Sequence, residues 1–183
     1  MKLQISGGKY KRTKINIPKD LSNFRPTKVM VREAVCNVLQ GRISAAETLE
    51  LCAGSGMFSM EMISRGARNA LAVEQNPKLC TFVKEQINKY TWKEQIEILC
   101  EDAVAFLNKI EKKFDIIFFD PPYYVNELTE ITINLRNICS KNGVIVFEFA
   151  SDDDFAKKFI IENCDDCNFR KYGKSSVAFI GGG

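Results

Sequence analysis

The sequence predicts an α/β fold: a mostly parallel, seven-stranded sheet covered by helices, with an antiparallel last strand, preceded by a small N-terminal β-hairpin and helix. Three observations predict it. From Glu47 onward, short runs of apolar β-formers alternate with amphipathic stretches, as in repeated strand–helix units around a sheet buried on both faces. The last two strand-like runs, Asn168–Tyr172 and Ser175–Ile180, are joined only by Gly173 and Lys174, a connection that requires an antiparallel pair. Ahead of these units, Lys2–Ile5 and Lys14–Ile17 alternate apolar with polar residues around Gly7 and Gly8, which reads as a hairpin.

Each element has a local reason. Pro18 ends the hairpin, and Thr27, after Arg25 and Pro26, is placed to cap a helix running to about Leu39. Thr48–Leu51 is a strand, followed by a glycine turn and a helix near Met57–Ser64. Ala70–Val73 is a strand, and Pro77 opens a helix to about Lys89. Ile96–Leu99 precedes a helix at Ala103–Ile110, and the very apolar Phe114–Phe119 precedes one at Asn126–Cys139. Gly143–Phe147 is a strand, Asp152–Ile161 a helix, and the closing pair follows. Residues 1–42 form a basic extension, 43–180 the α/β domain and 181–183 a tail.

Composition narrows the chemistry. With 183 residues, 45% apolar and 27% charged, the chain can bury a core without staples. No apolar run approaches the roughly 18 residues of a membrane span, and no secretory signal is visible near the N-terminus, so a cytoplasmic protein is expected. Histidine is absent, which excludes His-based triads and His metal sites. The seven cysteines are scattered, as expected of reduced, buried thiols. Cys164 and Cys167 form a C-x-x-C without a second ligand pair, so no metal site is expected. Residues 1–42 hold ten Lys or Arg against Asp20 and Glu33, a concentration of positive charge that suggests a polyanion at that end.

One set of residues reads as a cofactor site. Glu50-Leu51-Cys52-Ala53-Gly54-Ser55-Gly56 joins the first sheet strand to the following helix. A dinucleotide fingerprint needs glycine at position 59, which is Ser59, and pyrophosphate gains nothing from Glu50. An acid there suits a ligand with a cationic group. Glu74, with Gln75 after it, ends the next strand, where a carboxylate can accept both ribose hydroxyls. Asp102, before Ala103, follows the third and is placed to accept from an adenine amine. Acids at successive strand ends and a glycine turn describe a nucleoside site without phosphate, which fits S-adenosyl-L-methionine.

A second set reads as the reacting end. Asp120-Pro121-Pro122-Tyr123 follows the most hydrophobic strand. The prolines stiffen the turn, so that the Asp120 carboxylate and the Pro121 carbonyl form two fixed acceptors for a planar NH2 group. Tyr123 can stack on the ring that carries the amine. Methylation at carbon 5 of a pyrimidine would call for a nucleophilic cysteine, often shown as Pro-Cys, and no such pair occurs.

With these residues the chain resembles the class I methyltransferases. Glu50–Gly56 is similar to their E/D-x-G-x-G-x-G turn, with Cys52 in place of the first glycine, and Asp120–Tyr123 to their amino-methylating D/N-P-P-Y/F. The wider pattern resembles the RsmD family, bacterial 16S ribosomal RNA guanine-N2 methyltransferases. The segments that carry it are Ile5–Lys11, Arg25-Pro26-Thr27, Val31-Arg32-Glu33, Ala53–Gly56, Ser64–Ala67, Asp120–Tyr123 and Lys171–Ser175. The resemblance implies a Rossmann-like class I methyltransferase fold and S-adenosylmethionine as methyl donor. It implies methylation of a guanine N2 in ribosomal RNA, a small subunit or an assembly intermediate; with no interface stripe visible in the sequence, a monomer is expected. It also gives the basic arm a role, with Lys9, Lys11, Arg12, Arg25, Thr27, Lys28 and Arg32 on the RNA. Two other readings stand beside it: an adenine-N6 or cytosine-N4 methyltransferase, whose amines the same turn would serve, and a non-catalytic RNA-binding assembly factor on the same fold.

Overall fold

A computed structural model describes residues 1–21, 27–121, 128–164 and 166–181. The alternating N-terminal runs pair as an antiparallel hairpin, β1 (Lys2–Gln4) and β2 (Lys14–Asn16), with Leu3 opposite Ile15. Helix α1 spans Val29–Val38. It starts later than expected, with Lys28 at its N-cap and no side-chain cap, because the Thr27 hydroxyl is engaged elsewhere.

Strand–helix alternation then proceeds through β3 (Glu47–Leu51), α2 (Met57–Ser64), β4 (Asn69–Glu74), α3 (Pro77–Lys89), β5 (Ile96–Cys100) and α4 (Ala103–Leu107). It continues with β6 (Phe114–Phe119), α5 (Leu128–Ile138), β7 (Cys139–Ala150), α6 (Asp154–Asn163), β8 (Cys167–Tyr172) and β9 (Ser175–Gly181). The seven main strands lie in the order β5-β4-β3-β6-β7-β9-β8. β4, β3, β6 and their neighbours β5 and β7 run parallel, and β9 is antiparallel to both β7 and β8. This is the expected mostly parallel sheet with an antiparallel last strand.

Among the boundaries that differ from expectation, two have a clear local cause. α4 stops at Leu107 instead of Ile110, where the N–H groups of both Lys109 and Ile110 close on the Phe106 carbonyl. β7 begins at Cys139, because Cys139 pairs with Phe114 before the register shifts and resumes at Val144 opposite Ile116. The polar residues Ser140–Asn142 occupy that irregularity, and a Cβ on Gly143 would lie 2.7 Å from the Cys139 sulfur.

The two sheet faces bury separate apolar clusters. α1, α2, α3 and the hairpin cover one, with Ile5, Ile15, Val35, Phe58 and Phe118 in a single cluster. α4, α5 and α6 cover the other, around Leu51, Phe106, Phe119, Leu135 and Ile160. The extension thus shares its core with the sheet.

α2 lies between sheet and hairpin, and all eight of its residues are buried. Its Glu61 carboxylate accepts from the Ser6 N–H (2.9 Å), the Ser6 hydroxyl (2.6 Å), Arg32 Nε (3.3 Å) and Arg65 Nε (3.0 Å). Arg32 also donates to the Gln4 carbonyl at 2.7 Å. Gly8 completes the joint with φ of +75°, and a Cβ there would fall 1.8 Å from the Ser64 carbonyl oxygen. The placement of Arg32 corrects the expectation that it contacts RNA: its side chain is fully buried, and its charge answers Glu61.

Glu61→Ala leaves Arg32 buried without its counter-charge. It is expected to cost about 3–5 kcal/mol of folding free energy, measured by urea unfolding, with part of the loss recovered when Arg32→Met is added.

Candidate cofactor and substrate site

The strand order reverses at β3, with β4 on one side and β6 on the other. In open α/β sheets such a switch point leaves a crevice outside the carboxyl ends of the strands. A cavity of about 490 Å³ lies there, lined from Glu101 and Asp102 after β5 to Glu148 and Ser175 on β7 and β9.

The turn after β3 is built for close approach. Cys52, Gly54 and Gly56 all have positive φ, at 56°, 54° and 66°. The Ala53 N–H bonds to the Val73 carbonyl at 3.0 Å, and the Gly54 N–H donates to Glu74 Oε2 at 2.7 Å. Glu74 Oε1 accepts from the Asn76 N–H at 2.8 Å. Its carboxylate is therefore fixed at the cavity wall by two backbone donors. Asp102 caps α4 through Oδ1, which accepts from the N–H groups of Val104 and Ala105 at 2.9 and 3.0 Å. That leaves Oδ2 to a ligand donor.

Cys52, Ala53, Gly54, Ser55, Glu74, Gln75, Asp102 and Ala103 all line the cavity. Three other residues of the expected set act differently. Leu51 is fully buried in the cluster beneath the opposite face. Gly56 is the N-cap of α2, where a Cβ would sit 3.1 Å from Val83. Glu50 reaches the cavity floor, but its oxygens turn into α2: Oε1 accepts from the Phe58 N–H (3.2 Å), Oε2 from the Ser59 N–H (2.8 Å) and hydroxyl (2.6 Å). It holds the helix start and does not face a ligand cation. Ser59, where a dinucleotide fingerprint would have glycine, is its partner.

At the other side of β3, Asp120 and Pro121 follow β6 and line the same cavity. The Thr27 hydroxyl donates to Asp120 Oδ2 at 3.1 Å, tying the extension to the sheet's carboxyl edge across 93 residues of sequence. Lys28 is exposed and lines the cavity beside it. Lys9, Lys11 and Arg12 are also exposed, but on the hairpin turn, where the Lys9 N–H bonds to the Ser64 carbonyl at the far end of α2. At about 1.5 Å per residue, an α2 length of roughly 12 Å separates them from the glycine turn. Arg25, Pro122 and Tyr123 lie outside the described residues.

Among the described residues the lining holds six carboxyl groups; Glu50 is turned into α2, and Glu74, Glu101, Asp102, Asp120 and Glu148 make an acidic wall against one cation, Lys28. Such a field disfavours phosphate and favours a cationic ligand.

Comparison with known proteins agrees with this geometry. A family model described as Conserved hypothetical protein 95 matches residues 3–181. Ribosomal RNA small subunit methyltransferase D of Buchnera aphidicola subsp. Acyrthosiphon pisum is 34% identical over 151 residues, 80% of this chain and 78% of that protein. The protein of the same name from Escherichia coli K12 is 34% identical over 136 residues, 73% of this chain and 66% of its own. The chain belongs to the RsmD family. A solved structure of the 16S rRNA N2 methyltransferase RsmC of T. thermophilus, in complex with AdoMet and guanosine, superposes with a TM-score of 0.78. At 17% identity, over 99% of this chain and 49% of the other, it shows the shared fold.

Membership of the RsmD family makes the chain a methyltransferase that draws on S-adenosylmethionine, and the cavity fits that cofactor. Glu74 and Asp102 both present carboxylates to it, and the acidic lining suits a sulfonium and an ammonium. No helix among the described residues is long and apolar enough to cross a membrane. Sequence reasoning missed Asn76, Glu101, Glu148 and Ser175 on the cavity wall. For Glu148 a signal was present: a carboxylate inside the apolar run Val144–Phe149.

Two titrating groups bear on the chemistry. Burial pushes the Cys52 thiol up to about 12, and the carboxylates of Glu74, Asp120 and Asp102 push the same way. It stays protonated at neutral pH and is no nucleophile. Burial also pushes the Glu50 carboxyl up to about 7, against the opposing pull of the Ser59 and Phe58 donors. The folded state then holds a proton that the unfolded chain releases near its ordinary value of 4.5. Stability from this group is present below that value and is lost as pH rises through about 7. Relative to Glu50→Gln, the wild type is expected to lose urea resistance as pH rises from about 4.5 to about 7, the span between those two values. A difference between the two that is flat with pH contradicts the assignment.

Proposed function

We propose that this protein transfers a methyl group from S-adenosylmethionine to the exocyclic N2 amine of a guanine in 16S ribosomal RNA, in the cytoplasm. The observation that carries this reading is the position of Asp120. It stands with Pro121 at the carboxyl end of β6, oriented by Thr27, in one cavity with the acid-lined cofactor lobe of Glu74 and Asp102. The curated relatives, named Ribosomal RNA small subunit methyltransferase D, support small-subunit ribosomal RNA as the substrate class.

The bound cofactor supplies a methyl group made electrophilic by its sulfonium. The chain supplies position. Asp120 and the Pro121 carbonyl accept one hydrogen each from the amine, which draws its lone pair out of conjugation and aims it. Thr27 fixes the plane of the Asp120 carboxylate through the bond to Oδ2. Once the nitrogen is methylated and cationic, Asp120 takes the surplus proton or passes it to water. Tyr123 stacks on the extruded base. Lys28 beside the cavity, with Arg25, and Lys9, Lys11 and Arg12 beyond α2, hold phosphates of an unstacked RNA segment, positioning it without reading sequence.

Thr27→Val removes one hydrogen bond and leaves the cofactor lobe intact. It is expected to lower kcat about tenfold with cofactor affinity unchanged, read by steady-state kinetics beside calorimetry.

Tritiated S-adenosylmethionine, offered with small subunits, bulk transfer RNA and duplex DNA in parallel, tests the substrate class. Label confined to 16S ribosomal RNA supports the reading. Label in transfer RNA or DNA turns it toward an adenine or cytosine amine. Cofactor binding with no label in any acceptor favours the assembly-factor reading.

A further inference from the structure

The cavity continues past Asp120 onto the next strands, where Glu148 of β7 and Ser175 of β9 line its wall. Glu148 is 6% exposed. Strand alternation fixes where it faces. Its neighbours Phe147 and Phe149 belong to the cluster under α4–α6, whereas Val144 and Val146 share the hairpin-side cluster with Phe118. Glu148 therefore lies on the hairpin side, the side from which Thr27 reaches Asp120. The register pairs Phe119 with Phe147, so that Asp120 and Glu148 occupy the next positions on adjacent strands, at a strand spacing of roughly 4.8 Å. A second carboxylate thus flanks the two amine acceptors, on the side away from the cofactor lobe.

We infer that Glu148 selects guanine by accepting a hydrogen bond from N1–H of the base whose N2 amine is held by Asp120 and Pro121. The inference rests on the guanine-N2 reading and adds to it the residue that tells guanine from other bases. The atom beside the reacting amine differs among the candidates. In guanine the amine stands between the ring N1–H and N3, so one flank is an N–H donor. In adenine and cytosine the flanking ring nitrogen carries a lone pair. A buried carboxylate at that position gains a charge-assisted bond to guanine and faces a lone pair in the other two. The Asp-Pro corner alone suits all three amines, and the neighbouring strand supplies the choice. Sites built around a buried polar group reject analogues that leave it unpaired far more strongly than apolar pockets reject a change of size.

Two soluble nucleosides separate the outcomes. Guanosine and 2-aminopurine riboside carry the same amine at C2, but only guanosine has N1–H. Each is used as a competing inhibitor of tritium transfer to small subunits. Wild-type protein is expected to bind guanosine at least about tenfold more tightly than 2-aminopurine riboside. Glu148→Gln, whose amide can donate, is expected to narrow that ratio about tenfold or more, with cofactor affinity and melting temperature held. A wild type that treats the two nucleosides alike overturns the inference without need of a variant. So does a folded Glu148→Gln that keeps the wild-type ratio. Failure of the guanine-N2 reading itself shows elsewhere, as methyl transfer by wild type that leaves no N2-methylguanosine in the digest.

Discussion

Asp120→Ala is expected to lower methyl transfer to small subunits by about a thousandfold, with cofactor affinity within about twofold of wild type. The substitution removes the acceptor that orients the amine and the group placed to take its proton. The cofactor lobe is built by other residues: Glu74 is held by the N–H groups of Gly54 and Asn76, and Asp102 caps α4. The change should therefore fall on kcat in single-turnover kinetics, and calorimetry should return the wild-type dissociation constant. Asp120→Asn keeps one acceptor oxygen and should fall between the two. Equal loss of cofactor binding and turnover would move Asp120 from the reacting amine to the cofactor.

Glu74→Ala is expected to weaken cofactor binding by about a thousandfold. Two ribose hydroxyl bonds to a carboxylate are worth about 1.5–3 kcal/mol each. The same substitution strips the Gly54 and Asn76 N–H groups of their acceptor, so the turn itself loosens. Isothermal titration with S-adenosylhomocysteine measures the effect without turnover. A dissociation constant within threefold of wild type would show that the ribose lies elsewhere.

Much of this was legible in the sequence because the signals were local. Apolar runs, glycines and prolines marked the strand ends, and in a parallel sheet the strand ends are where ligands gather. Glu74, Asp102 and Asp120 could therefore be placed in one cavity before any coordinates. What was not legible depends on contacts between distant segments. Arg32 stands in a basic stretch and reads as an RNA contact, yet Glu61, 29 residues later, draws it into the interior. The pattern of α2 carries the same information in another form. A helix with no polar face must be covered on both sides, and the hairpin is the cover. Thr27 reads as a helix cap because Asp120, its actual partner, is 93 residues away. Glu50 shows a local rival to the ligand: eight and nine residues on, Phe58 and Ser59 satisfy a carboxylate that spacing alone assigned to a cation.

Cys52 shows how far a motif can bend. It stands where the turn it resembles has glycine, and its backbone is left-handed, with φ of 56°. The steric cost of such a conformation for a side chain is of order 1 kcal/mol, small enough for the surrounding turn to carry.

In the proposed reaction the Asp120–Pro121 corner places a guanine N2 amine against the methyl donor. The most direct test incubates small subunits lacking the modification with methyl-labelled cofactor and wild-type protein. The ribosomal RNA is then digested to nucleosides, and the label is identified by mass. N2-methylguanosine is the expected labelled nucleoside, absent when Asp120→Ala replaces the wild type. Label in N6-methyladenosine or N4-methylcytidine would contradict it.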